Sequence, residues 1–159
     1  MILLPMADGG FAWLLGEAEP LPGSPSIVDG GIAVRETVEL LRGVAAEVGG
    51  ESAWLMVVDG EGVGMISVKA RDDAGHWDIG YGVAATRRGR GHATAAVAAL
   101  KERARLLGAS GLTAETLPGP GISSRVLQRN GFLCTGQYDH PEDGLVDQWA
   151  VELAGRADR

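Results

Sequence analysis

The residues best suited to chemistry stand together at Arg87-Arg88-Gly89-Arg90-Gly91. A strand-like run, Ile79 to Val83, leads into them, and a helix rich in small residues follows. Glycine removes the side chain where a ligand must touch backbone. The first N–H groups of a helix have no intrahelical partner, and the helix dipole adds partial positive charge at that end. Loop and helix start together make an anion site. Arg87, Arg88 and Arg90 add fixed positive charge to a chain of formal net charge -7, which points to a specific anion rather than a diffuse electrostatic partner. A solvated basic turn is the bland alternative. It would set cations against the positive end of the dipole, an arrangement that a bound anion relieves. Two phosphate-loop motifs do not fit. The dinucleotide fingerprint G-x-G-x-x-G would need glycine at Thr94, and the Walker loop would need a lysine after its glycine.

These residues need elements to hold them. Ile2 to Leu4 reads as a short strand, and Ala7 to Leu15 as a helix with Phe11, Leu14 and Leu15 on one side. Glu19 to Ser26 carries Pro20, Pro22 and Pro25, which excludes a regular helix and reads as a surface connection. Asp29 to Val48 is expected as one helix, with Val34, Val38, Leu41, Ala45 and Val48 as its apolar stripe and Gly49-Gly50 as its stop. Trp54 to Val58 and Val63 to Val68 flank an Asp-Gly turn signal, and Asp72 to Gly75 turns into a third strand ending at Val83. Gly91 to Leu107 is the small-residue helix, with Ala93, Val97, Leu100, Ala104 and Leu107 on one side. Gly111 to Leu117 reads as a buried strand and Ser123 to Asn130 as a short helix closed by Gly131. Leu133 to Tyr138 and Val146 to Leu153 read as closing strands, and Ala154 to Arg159 as a polar tail. This alternation predicts an α/β chain with a mixed sheet.

Composition narrows the class. The 159 residues are expected to form one domain, residues 1–159, and 45% hydrophobic content is enough for a core. No apolar run has the length of a membrane-spanning helix. Met1 to Met6 is apolar but lacks the basic leader of a secretory signal. The lone Cys134 cannot form an internal disulfide, which fits a reducing compartment, so a cytoplasmic location is expected. The acidic balance argues against nucleic acid as a partner.

Arg88-Gly89-Arg90-Gly91-His92-Ala93 resembles the Q/R-x-x-G-x-G/A signature of the GCN5-related N-acetyltransferases. Ile79-Gly80-Tyr81 through Val83 looks like that family's fourth strand. Ser123-Ser124-Arg125-Val126-Leu127-Gln128-Arg129-Asn130-Gly131-Phe132 is similar to the S-x-R-V-L-E-K-x-G-F run of the ribosomal-protein-type subgroup. The resemblance is clear over residues 54–153. It implies a single-domain acyl-CoA N-acyltransferase fold, with a splayed central sheet, flanking helices and acetyl-CoA in the gap. It also implies an enzyme that moves acetyl from acetyl-CoA to a primary amine, of a protein N-terminus or a small molecule, by direct attack in a ternary complex. No metal is implied, and a homodimer is compatible with it. A weakly catalytic CoA-binding module, or a transferase of longer acyl groups, would carry the same motifs.

The resemblance assigns roles as well. The CoA pyrophosphate would sit on backbone N–H groups of Arg88, Gly89, Arg90, Gly91, His92, Ala93 and Thr94, with Arg88 and Arg90 adding charge. The backbone of Val83 would hold the pantetheine amides and the thioester oxygen. That needs an interrupted strand, and Gly80 and Gly82 are expected to give it a bulge. Ala93 to Ala99 would leave room for a pantetheine arm, or simply pack close to a sheet. Asp78 is the first candidate base. His76, on the same face and with an ordinary pKa of ~6.5, and Glu115 on the next strand are the others, and a water relay would replace all three. Ser123 is the candidate thiolate stabiliser, with a helix N-cap as its structural alternative. Leu127 stands where many members place a general-acid Tyr and cannot serve; Tyr138 is an alternative donor. Pro120 stands where the subgroup has a cofactor-contacting Asn and offers neither amide nor N–H. Cys134 is expected as inert packing rather than a nucleophile.

Overall fold

In the computed structural model, residues 1–153 are described, and within them eight strands form one sheet with four α-helices against it. The strands are β1 (Ile2–Pro5), β2 (Ser26–Ile27), β3 (Ala53–Val58), β4 (Glu61–Arg71), β5 (His76–Val83), β6 (Gly111–Thr116), β7 (Leu133–His140) and β8 (Gly144–Glu152). The helices are α1 (Asp8–Leu14), α2 (Arg35–Val48), α3 (His92–Leu106) and α4 (Ile122–Arg129). The sheet runs β1-β3-β4-β5-β6-β8-β7, with β2 attached in parallel to the start of β4. All neighbours on the main path are antiparallel except β5 and β6. This is the mixed α/β sheet expected. The expected tail at 154–159 lies outside the described residues.

The central strands read as apolar runs because both faces are covered. In β3, Trp54 and Met56 enter a core with Ile66, Val97, Leu100 and Leu127 beneath α3 and α4. Its alternate residues, Ala53, Leu55 and Val57, enter a second core with Phe11, Val38 and Met65 beneath α1 and α2. The β3–β4 hairpin turns at Asp59 (φ 51°) and Gly60 (φ 77°). Two left-handed residues make the primed turn that matches strand twist, and Asp-Gly is the pair that tolerates it.

Several boundaries differ from expectation. Helix α2 starts at Arg35, not Asp29, because Gly30 (φ 87°) and Gly31 (φ 78°) break the chain before it. Val34 is therefore its exposed N-cap rather than part of a buried stripe. The pairing of β2 with β4 is carried by two residues, too short a run for any periodic signal. Leu107 is exposed at the end of α3, and Leu117 is exposed past the end of β6. Cys134 is exposed too, because β7 is an edge strand whose first five residues are all exposed; the expectation of buried packing is corrected. Among the described residues no helix is long and apolar enough to cross a membrane.

Candidate active site

Strands β5 and β6 pair only through His76↔Gly111, Trp77↔Leu112 and Asp78↔Thr113. Beyond that point they part, while β5 continues to Val83 against β4. Ala84 N donates to Val63 O at 2.8 Å, which fixes the phase of the β4–β5 ladder. Alternation then aims the N–H groups of Tyr81 and Val83 away from β4, into the gap. The free backbone that Val83 needs thus comes from the parting of two strands. The expected bulge at Gly80 and Gly82 is absent; the irregularity lies in β4, at Lys69, between the pairs Val68↔Ile79 and Ala70↔Asp78. Gly64 opposite Val83 permits the close approach. A Cβ there would run into the Gly82 carbonyl oxygen and stand 3.0 Å from Val83 Cα.

The basic loop follows at the end of the gap. Gly89 (φ 76°) and Gly91 (φ 79°) are both left-handed, and Gly91 is the N-cap of α3. No side chain caps this helix, so its first N–H groups stay available. Arg88 Nε donates to Val83 O at 3.2 Å, which draws the loop to the strand end. Arg90 is exposed. Arg87 differs from both, because it is paired with Glu61 at 2.9 Å and is committed to β4. Thr94 is tied to α4 through its carbonyl, which accepts from Asn130 Nδ2 at 3.2 Å; the buried Asn130 amide also donates to Val126 O at 3.0 Å. Asn130 had no sequence signal beyond standing before Gly131. Its short polar side chain joins the two helices that flank the gap.

On the face toward α2, Asp78 sits where the strands part. Thr113 Oγ1 donates to Asp78 Oδ1 at 3.1 Å, and Lys69 Nζ lies 3.7 Å from Oδ2. Burial pushes the Asp78 carboxyl above its ordinary value, against the opposing pull of Lys69 and Thr113, and nearby Glu115 adds to the rise. Glu115 accepts a hydrogen bond from the Tyr138 hydroxyl, which places Tyr138 on the same face. That contact, with burial second, pushes the phenol up to about 12. Asp78, Glu115 and Tyr138 are therefore brought together. His76 is not. Its Nε2 lies 2.8 Å from Glu152 and its Nδ1 3.7 Å from Asp72, so it fastens the closed end of the β5–β6 pair to β8.

On the opposite face, Tyr81 reaches toward α4, and its hydroxyl donates to Ser123 O at 3.3 Å. Tyr81 is the residue missed by the sequence analysis. The signal was present, because strand alternation turns it to the face opposite Asp78. Ser123 is exposed, and it is not the helix cap: Gly121 holds the N-cap position, and Ser124 Oγ, three residues on, accepts from Gly121 N at 2.8 Å. Leu127 is fully buried, in core packing. Pro120 is exposed in the loop between β6 and α4.

A parted strand pair, an N–H-lined loop and a half-buried carboxylate together define an acyl-CoA-dependent transferase of the splayed-sheet type. The acetyltransferase (GNAT) domain family matches residues 30–133, about two thirds of the chain, and the chain belongs to that family. Its acetyl donor is acetyl-CoA and its acceptor is an amine. A RimL ribosomal L7/L12 alpha-N-protein acetyltransferase in complex with coenzyme A has the same fold, with TM-score 0.70 and 17% identity over 95% of this chain and 93% of that one. An aminoglycoside acetyltransferase AAC(6′)-Ib with coenzyme A gives 0.65 and 20% over 94% and 93%. An acetyltransferase from Salmonella typhimurium that modifies the N-terminal serine of L7/L12 gives 0.62 and 19% over 76% and 73%. At these identities the likeness is one of fold. A comparison with curated proteins finds no match.

Proposed function

We propose that the chain acetylates a primary amine by direct attack on the thioester, with the cofactor held in the β5–β6 gap and Asp78 as general base. The parting of the two strands after Asp78↔Thr113 carries this reading, because it leaves backbone N–H groups beside an uncapped helix start. The N–H groups of Arg88 to Thr94 would hold the pyrophosphate, with charge from Arg88 and Arg90. The Val83 N–H would polarise the thioester oxygen. The amine nitrogen forms the new C–N bond as the C–S bond breaks. Asp78 takes the amine proton, and the departing thiolate is stabilised by the Ser123 hydroxyl and takes up a proton to give the free thiol of CoA. The burial that pushes Asp78 upward makes it a better proton acceptor than an exposed aspartate.

The acceptor would be a protein N-terminus or a small-molecule amine, the two kinds that the names of the fold relatives record. The same proposal includes one domain over residues 1–159, a cytoplasmic location and no nucleic-acid partner, in keeping with the acidic charge. A homodimer is supported by the exposed edge of β7.

The test is release of CoA thiol from acetyl-CoA across a panel of amines, with wild type and Asp78→Asn. We expect D78N to lose about 10²–10⁴-fold in kcat/KM while acetyl-CoA still raises its unfolding temperature. Full activity in D78N would move the base to Glu115 or to water.

A further inference from the structure

A cavity of about 430 Å³ lies between α2 and strands β4–β5, on the Asp78 side of the sheet. Its size is that of a small-molecule site. Ile32, Val34, Leu41 and Met65 make apolar walls, and Val34 is 66% exposed at the rim. No carboxylate lines the cavity; its charged residues are Lys69 and Arg88. Arg88 turns back to Val83 O, which leaves Lys69 to set the charge of the lining. The lining itself offers a polycationic acceptor no anionic partner.

Lys69 is placed by two backbone features. The irregularity in β4 frees it from the ladder, and Gly80 leaves the room its stem crosses: a Cβ on Gly80 would stand 3.4 Å from Lys69 Cδ. The ammonium reaches 3.7 Å from Asp78 Oδ2, longer than a hydrogen bond, and the side chain is 41% exposed. Lys69 lines the apolar cavity and Asp78 stands just beyond its lining, so ammonium and carboxylate lie side by side at its margin. An α-amino acid carries the complementary pair, with amine and carboxylate on one carbon.

We propose that this cavity selects a free apolar α-amino acid as the acetyl acceptor, with Lys69 as the specificity residue that reads its carboxylate. The amine lies at Asp78 and the aliphatic side chain between α2 and β4. The products are the N-acetyl amino acid and CoA, with one C–N bond made for each C–S bond broken. The inference rests on the proposed role of the β5–β6 gap and of Asp78.

Thiol release is measured at one pH with L-leucine, L-leucinamide, a leucyl peptide and spermidine as acceptors. Leucinamide keeps the side chain and has the less basic amine, so a preference for leucine reflects the carboxylate. We expect leucine to exceed leucinamide and the peptide at least about tenfold in kcat/KM, with spermidine the poorest acceptor. Lys69→Met should bring the leucine-to-leucinamide ratio near one, and Lys69→Arg should keep it. Equal or better turnover of the amide, the peptide or spermidine overturns the proposal, as does an unchanged ratio in K69M. The wild-type ratios decide alone if K69M does not fold. If acetyl-CoA binds and only other amines react, this inference fails and the acetyltransferase reading stands; if acetyl-CoA gives no stabilisation, both fail.

Discussion

Asp78 carries opposing influences whose balance is measurable. Burial raises its pKa, while Lys69 and Thr113 lower it. A base works only when deprotonated, so the acid limb of kcat/KM against pH should lie above the ordinary aspartate value of ~3.9. K69M removes a lowering influence and should move that limb higher still; a limb that stays put would detach Lys69 from the base. For stability the sign is the reverse of the usual aspartate. The folded pKa is raised, so the group costs stability above its unfolded value, and that cost fades as pH falls through the folded one. At this scale the strand positions of Asp78 and Glu115 were readable from the sequence, while the choice of Asp78 as base came from the family resemblance. Lys69 was not, because a one-residue irregularity in β4 leaves no mark in a run of apolar residues. His76 had the better ordinary pKa, but its partner Glu152 lies 76 positions away, beyond any local pattern.

The elements meet at two glycines. Gly91 holds φ 79° and ψ 9°, the left-handed conformation that alanine resists, so Gly91→Ala should destabilise by about 1–3 kcal/mol and weaken acetyl-CoA binding by turning the first N–H groups of α3. Gly64→Ala forces β4 and β5 apart beside Val83 and should cost about 1–3 kcal/mol. Chemical unfolding of both variants, with and without acetyl-CoA, checks each figure; wild-type stability in G64A would mean that the strands have slack. Strand and helix order was legible because periodicity changes from two to three-and-four along the chain, and because Asp59-Gly60 and Gly131 mark stops. The free backbone of Val83 was anticipated with the wrong cause. Glycines in a strand suggest a bulge, whereas parting depends on β6, a distant segment.

For the whole molecule, the sheet separates two cores, and the β5–β6 gap opens within that sheet. Leu100, fully buried on the inner face of α3, should cost about 2–5 kcal/mol as alanine in urea unfolding, with the gap chemistry retained in the folded fraction. The closed end of the gap depends on His76, whose pKa is raised mainly by Glu152. That contribution is fully present below the unfolded pKa and is lost as pH rises through the folded one. The stability difference between wild type and His76→Gln should therefore be full below about pH 6.5 and shrink as pH rises above it; a constant difference would mean that the contact is not ionic. Which residues form the two cores was largely readable from apolar stripes. Their placement on opposite faces was not, because β3 is apolar at every position and offers no alternation.

The central claim is that the β5–β6 gap and the loop from Arg88 to Thr94 hold acetyl-CoA. Thermal unfolding with and without acetyl-CoA tests it most directly. At about 100 times its dissociation constant the ligand should stabilise the fold by about 2.7 kcal/mol, a rise of roughly 5–11 °C, and the rise should shrink in G91A. No rise in the wild-type protein would contradict the site and the mechanism built on it.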